Sequence, residues 1–272
     1  MSIPCFIPSK DRAAQLLLLL ESLGKNAPGL FDPYVMWKAS DQEFKDGYQI
    51  VRDKKGMVWN EEYNAEYQFY YFLEQAAALD EIICLFSDDS ILYRPLIITQ
   101  KGVEHLFSFG DLWTFALRIG QNVITQDYVH NTKVIPPEEL MWRWEDRQFW
   151  DDAFGFAVGF DGYFYKAKDL LELSERKPFG RICTWEHMIC KQFLANPPKH
   201  KPLMACPKES KVFVQQINTS HEFPHNTTHT FNVSLKELND KLLAGEKIDL
   251  DSMDFSKVNC THGEIAWSYK PL

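Results

Sequence analysis

At 272 residues, with 45% hydrophobic and 14% aromatic side chains, the chain carries enough apolar surface for a large core and reads as a globular α/β protein. A formal charge of −9, with no run of Lys and Arg longer than two residues, excludes a protein that coats nucleic acid, because phosphate-backbone binding rests on clustered cations. The start, Met1-Ser-Ile-Pro-Cys-Phe-Ile-Pro8, has no basic leader and is broken twice by proline, and the longest apolar run, Leu16 to Leu20, is too short to cross a bilayer. A soluble, cytoplasmic protein is expected. Cys5, Cys84, Cys183, Cys190, Cys206 and Cys260 have no paired short spacing and are expected as free thiols of the core. The sequons at Asn218, Asn226, Asn232 and Asn259 read as coincidental without a secretory signal.

Taken in order, Ile3 to Ile7 predicts a strand, and Ala13 to Leu23 a helix that stops at Gly24. Tyr34 to Lys38 predicts a second strand. Ser40 and Asp41 then cap a brief helix, and Tyr48 to Val51 predicts a third strand. Asn60 to Leu79 predicts a long helix whose stripe of Tyr63, Tyr67, Tyr70 and Tyr71 is expected to face the core. The apolar run that follows, Glu81-Ile-Ile-Cys-Leu-Phe-Ser-Asp88-Asp89-Ser90, predicts a buried strand ending on paired carboxylates. Beyond Pro95 the pattern predicts a helix over Phe109 to Leu117, a helix opened by Pro136-Pro137 before Leu140 to Trp150, and a glycine-punctuated strand pair over Phe154 to Tyr165. A helix over Thr184 to Leu194, a strand within Met204 to Ile217 and an amphipathic helix from Lys236 complete the chain. Strands alternating with helices imply right-handed crossovers and a doubly wound sheet, so 1–272 is expected to form a single domain.

Ligands of open α/β sheets sit beyond the carboxyl ends of the strands, which places Asp88 and Asp89 where a cation is held. No Gly-x-Gly-x-x-Gly follows the first strand and no Walker sequence occurs, so phosphate would be handled through a metal. The opening Pro4-Cys-Phe-Ile-Pro-Ser-Lys-Asp-Arg12 with its leucine helix, together with Ser87-Asp88-Asp89-Ser90, resembles the first strand and the DxD-type motif of GT-A glycosyltransferases of the family-2-like branch. The resemblance runs over nearly the whole chain. It implies a Rossmann-like mixed sheet, with residues 1–100 as the nucleotide-sugar half and 101–272 as the acceptor half. It also implies transfer from a UDP-sugar or GDP-sugar to a hydroxyl acceptor with Mn2+ or Mg2+. Where relatives often carry three consecutive acids, this chain has Ser90 in the third position.

On that resemblance Asp89 is expected on the metal, Asp88 on the metal or the ribose, and His262 as a late metal ligand. Ser9, Lys10 and Arg12 are expected near the nucleotide, with Ser40, Asp41 and Arg118 as further contacts. Inverting transfer needs a base, and Glu186 in Thr184-Trp-Glu-His-Met188 and Asp161 in Gly159-Phe-Asp-Gly162 are the two candidates. Trp142, Trp144 and Trp185 read either as sugar-stacking faces or as core. Two rival readings carry other chemistry: a metal-dependent phosphohydrolase, and a non-catalytic nucleotide-sugar binder.

Overall fold

The computed structural model describes residues 2–55, 59–126, 132–150, 152–216 and 233–272. Asn218, Asn226 and Asn232 lie outside them, as do the end of the expected late strand at Ile217 and the side chain of Cys183. The elements are β1 (Ile3–Lys10), α1 (Ala13–Asn26), β2 (Phe31–Lys38), α2 (Gln42–Lys55), β3 (Trp59–Glu61), α3 (Ala65–Ala78), β4 (Ile82–Leu85), β5 (Ser90–Leu92) and α4 (Gln100–Ser108). They continue with β6 (Leu112–Ala116), β7 (Met141–Arg143), β8 (Tyr163–Lys166), α5 (Ala167–Ser174), α6 (Ile182–Ala195), β9 (Leu203–Ala205) and β10 (Val212–Gln215). The last are α7 (Leu235–Leu243), β11 (Glu246–Ile248), β12 (His262–Gly263) and β13 (Tyr269–Pro271).

The main sheet has eight strands in the order β3-β2-β1-β4-β8-β6-β9-β7. Strands β3, β2, β1 and β4 are parallel, whereas β8 runs antiparallel to both β4 and β6. This α/β architecture with a mixed sheet agrees with the GT-A-like arrangement that the sequence implies. Both faces are covered, and the side-chain alternation of period two shows it. Phe6, Ile83, Leu85, Tyr163 and Tyr165 enter one core with α3 and α6, while Cys5, Ile7, Ile82, Cys84 and Phe164 enter the other with α1. A smaller sheet, β12-β10-β5, folds the end of the chain back onto the carboxylate turn, and β11 pairs with β13. Cys5, Cys84, Cys190, Cys206 and Cys260 are buried free thiols, as expected.

Several elements differ from the sequence expectation, each for a physical reason. Tyr48 and Val51 lie inside α2, spaced to bury one helical face, where the short apolar run had read as a strand. The expected helix over Phe109 to Leu117 is instead the wholly buried strand β6, because a continuous apolar run carries no period that separates the two states. Leu140 to Trp150 forms β7 and one 3-10 turn rather than a helix. Of Phe154 to Tyr165 only the end, from Tyr163, is strand. On α3, Phe69 and Leu73 face the core, while Tyr67 and Tyr71, and Tyr63 just before the helix, stand 58%, 46% and 73% exposed; only Tyr70 of the expected stripe is buried.

Candidate active site

The carboxyl ends of β1 and β4 open into a cleft of about 260 Å3 lined by Ser9, Lys10, Arg12, Asp88, Asp89, Asp161, Glu186 and His262, with Glu62, Ser87 and Gln216 among its other walls. Strand β4 is buried along its length, and Phe86 after it is fully enclosed, so the chain cannot reach solvent until it turns at Ser87-Asp88-Asp89. Asp88 is buried and Asp89 half-buried. Burial raises the Asp88 carboxyl; Arg12 opposes that rise and Asp89 adds to it, leaving the group at about 6.

Arg12 reaches the acid pair from the other strand end. Its Nη1 donates to Asp88 Oδ1 at 3.1 Å and to Asp89 Oδ2 at 2.9 Å, with the guanidinium itself buried. The loop that carries it is tightly held. Asp11 adopts a left-handed φ of 57°, a conformation that Asp tolerates. From there its Oδ1 accepts from Ser40 N at 2.6 Å. Arg12 N donates to the hydroxyl of Tyr48 at 3.1 Å, and that hydroxyl pairs with Ser9 Oγ at 2.7 Å. Burial of Tyr48 in α2 thus fixes the end of β1, a role hidden from a sequence reading that placed Tyr48 in a strand. Ser40 and Asp41 are exposed and do not line the cleft; Asp41 instead accepts from Phe44 N at 3.0 Å and caps α2.

A second buried cation–carboxylate unit faces the first. Gly162, at φ +78°, has space for no side chain, since an added Cβ would come within 2.9 Å of Val212. Its N–H donates to Leu85 O at 2.8 Å, which sets Asp161 beside the carboxylate turn. Asp161 accepts from Arg118 Nη1 at 2.6 Å and from Ser87 Oγ at 2.6 Å. Burial works to raise its pKa, but His262, Arg118 and Ser87 together hold it well below the usual carboxylate range. Arg118 therefore sits behind Asp161 rather than in the cleft wall, and stacks on Phe156 at 5.1 Å. Ser87, which ties this unit to the carboxylate turn, carried no sequence signal beyond its place in the motif.

His262 arrives through the small sheet, where Val214 pairs with Ser90 on one side and His262 on the other. Its Nδ1 lies 2.7 Å from Thr261 Oγ1, whose single hydroxyl proton goes to Gln126 O at 2.7 Å. The threonine oxygen must then accept, so Nδ1 carries hydrogen and Nε2 is the nitrogen that faces the cleft. Nε2 stands 3.7 Å from Asp161 Oδ2. Among the described residues no three acidic, histidine or cysteine side chains converge as a ligand set.

Glu186 lies in the second turn of α6, which begins at Ile182, so it is not a first-turn charge answering the helix dipole. Burial raises its carboxyl, and the negative Asp161 adds to that more than Arg118 takes away, giving about 7. Five carboxyl groups line the cleft: Arg12 binds Asp88 and Asp89, Arg118 binds Asp161 from behind, and Lys38 binds Glu62 at 2.8 Å, whereas among the described residues no cation is ion-paired to Glu186. Trp185 is fully buried against Phe69 and Phe160. Trp142 and Trp144 donate their indole N–H groups to Phe154 O and Lys201 O, so all three tryptophans belong to the core and none is a stacking face.

No family model and no curated protein matches the chain. Solved structures similar to it include S. aureus TarS, 11% identical over 78% of this chain and 36% of that one with a TM-score of 0.46. TarS 1–349 in complex with UDP is 12% identical over 78% of this chain and 59% of that one, with a TM-score of 0.46. Mannosyl-3-phosphoglycerate synthase from Rubrobacter xylanophilus is 15% identical over 76% and 65%, with a TM-score of 0.41. The chain spans about a third of that first TarS chain. Among the described residues no helix is long and apolar enough to cross a membrane.

Proposed function

We propose that this chain is a glycosyltransferase that moves a sugar from a nucleoside-diphosphate donor, linked to UDP or GDP, onto a hydroxyl acceptor with inversion. The observation that carries the reading is one cleft holding both an acid pair at the end of β4 and a carboxyl, Glu186, held near 7 across from it. A base must be ionised at working pH and still hold a proton well, and a carboxyl near 7 meets both demands. Asp161 is the weaker candidate: a carboxylate bound by Arg118 and Ser87 and held low is a poor proton acceptor, and it is better suited to orienting the donor sugar. Ser9, Lys10 and Arg12 would face the donor's nucleotide and diphosphate, which makes 1–100 the donor half and 101–272 the acceptor half.

A divalent metal fits the chemistry of the residues present. Asp88 and Asp89 offer the hard oxygens that Mn2+ or Mg2+ prefers, and His262 presents Nε2 with its other nitrogen tied to Thr261, as a ligating imidazole usually is. When bound, the ion would offset the charge of the departing diphosphate. Glu186 would take the proton of the acceptor hydroxyl as its oxygen attacks the anomeric carbon, and Arg118 would keep Asp161 ionised and in place.

Calorimetric titration of UDP, GDP and their sugars, with and without Mn2+, tests the donor site. Metal-dependent binding to the wild type that is lost in Asp89→Asn is expected, and unchanged affinity in that variant would remove the metal assignment. Glu186→Gln is expected to lower turnover by about 10²- to 10⁴-fold at unchanged donor affinity. Near-normal transfer by that variant would return the base to Asp161.

A further inference from the structure

The two aspartates do not stand open. A single nitrogen, Arg12 Nη1, bridges Asp88 Oδ1 at 3.1 Å and Asp89 Oδ2 at 2.9 Å, which is the position a cation shared between the two carboxylates would take. Nor is the arginine casually placed. Its guanidinium and Asp88 are both more than nine-tenths buried, and its backbone is anchored through Tyr48 to Ser9. Buried carboxylates that lost this partner would be left uncompensated in a low-dielectric site, so the pair strongly favours having one positive occupant. A dication and a guanidinium cannot share so short a span without strong repulsion. Arg12 also lines the cleft beside Ser9 and Lys10, where a diphosphate would present the oxygens that a guanidinium binds well.

We infer that Arg12 is a resident counter-cation that closes the acid pair to free divalent metal, so that metal enters only together with a diphosphate that takes the guanidinium over. This rests on the glycosyltransferase reading for the identity of the diphosphate, but not for the competition between Arg12 and the metal. Two consequences follow from charge alone. Metal and nucleotide bind with strong mutual coupling, because each removes an obstacle to the other. Removing the guanidinium uncouples them.

The test is Mn2+ binding, followed by the loss of the free-ion electron paramagnetic resonance signal, to the wild type, Arg12→Gln and Arg12→Lys, each with and without UDP or GDP. The wild type is expected to bind Mn2+ alone weakly and at least tenfold more tightly when the nucleotide is present. Arg12→Gln is expected to bind Mn2+ alone at least tenfold more tightly than the wild type, with little further gain from nucleotide. Arg12→Lys keeps the charge and is expected to resemble the wild type in resisting free Mn2+. Should Arg12→Gln be too unstable to titrate, its melting temperature is expected to rise on adding Mn2+ alone, while that of the wild type stays unchanged. Free-Mn2+ affinity in Arg12→Gln no higher than in the wild type, or no melting shift where that variant is unstable, overturns the inference while leaving a nucleotide-binding site intact. Tight uptake of Mn2+ by Arg12→Gln, with no nucleotide binding to the wild type under any condition, upholds the competition and sinks the glycosyltransferase reading.

Discussion

Asp161 holds one side of the cleft together, and its contribution to stability follows from what its loss leaves behind. Arg118 is buried, donates to Asp161 at 2.6 Å and has Tyr163 as its other partner at 3.1 Å. Asp161→Asn leaves that guanidinium charged and uncompensated, because the charge on Arg118 is held in place partly by this carboxylate. The expected cost is about 3–5 kcal/mol, read as a lower urea midpoint at unchanged slope. The exposed pair Lys236–Glu43 gives the contrast: both side chains are 62% exposed, and Glu43→Gln is expected to leave the urea midpoint almost unchanged. A similar small loss in Asp161→Asn would mean that Arg118 finds water or another acceptor, and that the buried unit is not rigid.

The same division between buried and exposed governs α3, where the sequence and the fold disagree. The helix itself is legible: Asn64 caps it by accepting from Tyr67 N, and Gln68, Phe69, Phe72, Leu73 and Ala76 recur at helical spacing. Its aromatic density misleads, because tyrosines at 63, 67 and 71 repeat every four residues just as a core stripe would. The buried stripe lies on the other face and contains Phe69. Phe69→Ala is expected to cost about 3–5 kcal/mol, while Tyr67→Ala should shift stability by less than about 1 kcal/mol, both read by denaturant unfolding. Comparable losses in the two variants would mean the tyrosine face is covered. Elsewhere the first βα unit and the carboxylate strand were readable because turn residues bound each apolar run. The runs Tyr48 to Val51 and Phe109 to Leu117 were not, being too short or too uniformly apolar to show a period. In the site, the residues at strand ends announced themselves, as Arg12, Asp88 and Asp89 did. Their pairing across 76 residues, the anchoring by Tyr48 and the threonine that orients His262 depend on tertiary placement and leave no local signal.

At the scale of the whole molecule, the fold gathers five carboxyl groups into one cleft of a chain that already carries a charge of −9, and the strain of that choice falls on Glu186. Its carboxyl rises from the ordinary 4.5 to about 7, first through burial and then through Asp161. A carboxyl with a folded value above its unfolded one binds its proton more tightly when folded. Its contribution to stability is therefore fully present below 4.5 and is lost as pH rises through 7. Asp161 acts in the opposite sense: held low in the folded state, it supports the fold above the usual carboxylate range and withdraws that support as the solution becomes strongly acidic. The stability maximum is thus expected on the mildly acidic side, with a fall of about 2–3 kcal/mol between pH 5 and pH 8 from Glu186 and a smaller one in the same direction from Asp88, whose carboxyl is also raised by burial. On the proposed role of Glu186 as base, which requires its ionised form, turnover should move the other way and climb along the limb on which stability declines. Urea midpoints and kcat measured from pH 5 to pH 8 check both, and Glu186→Gln is expected to shrink the stability limb to the part carried by Asp88 and to remove the activity limb. A variant that loses only the stability limb while its residual kcat still rises through pH 7 would leave Glu186 as a buried acid of the fold and assign the proton transfer to another group.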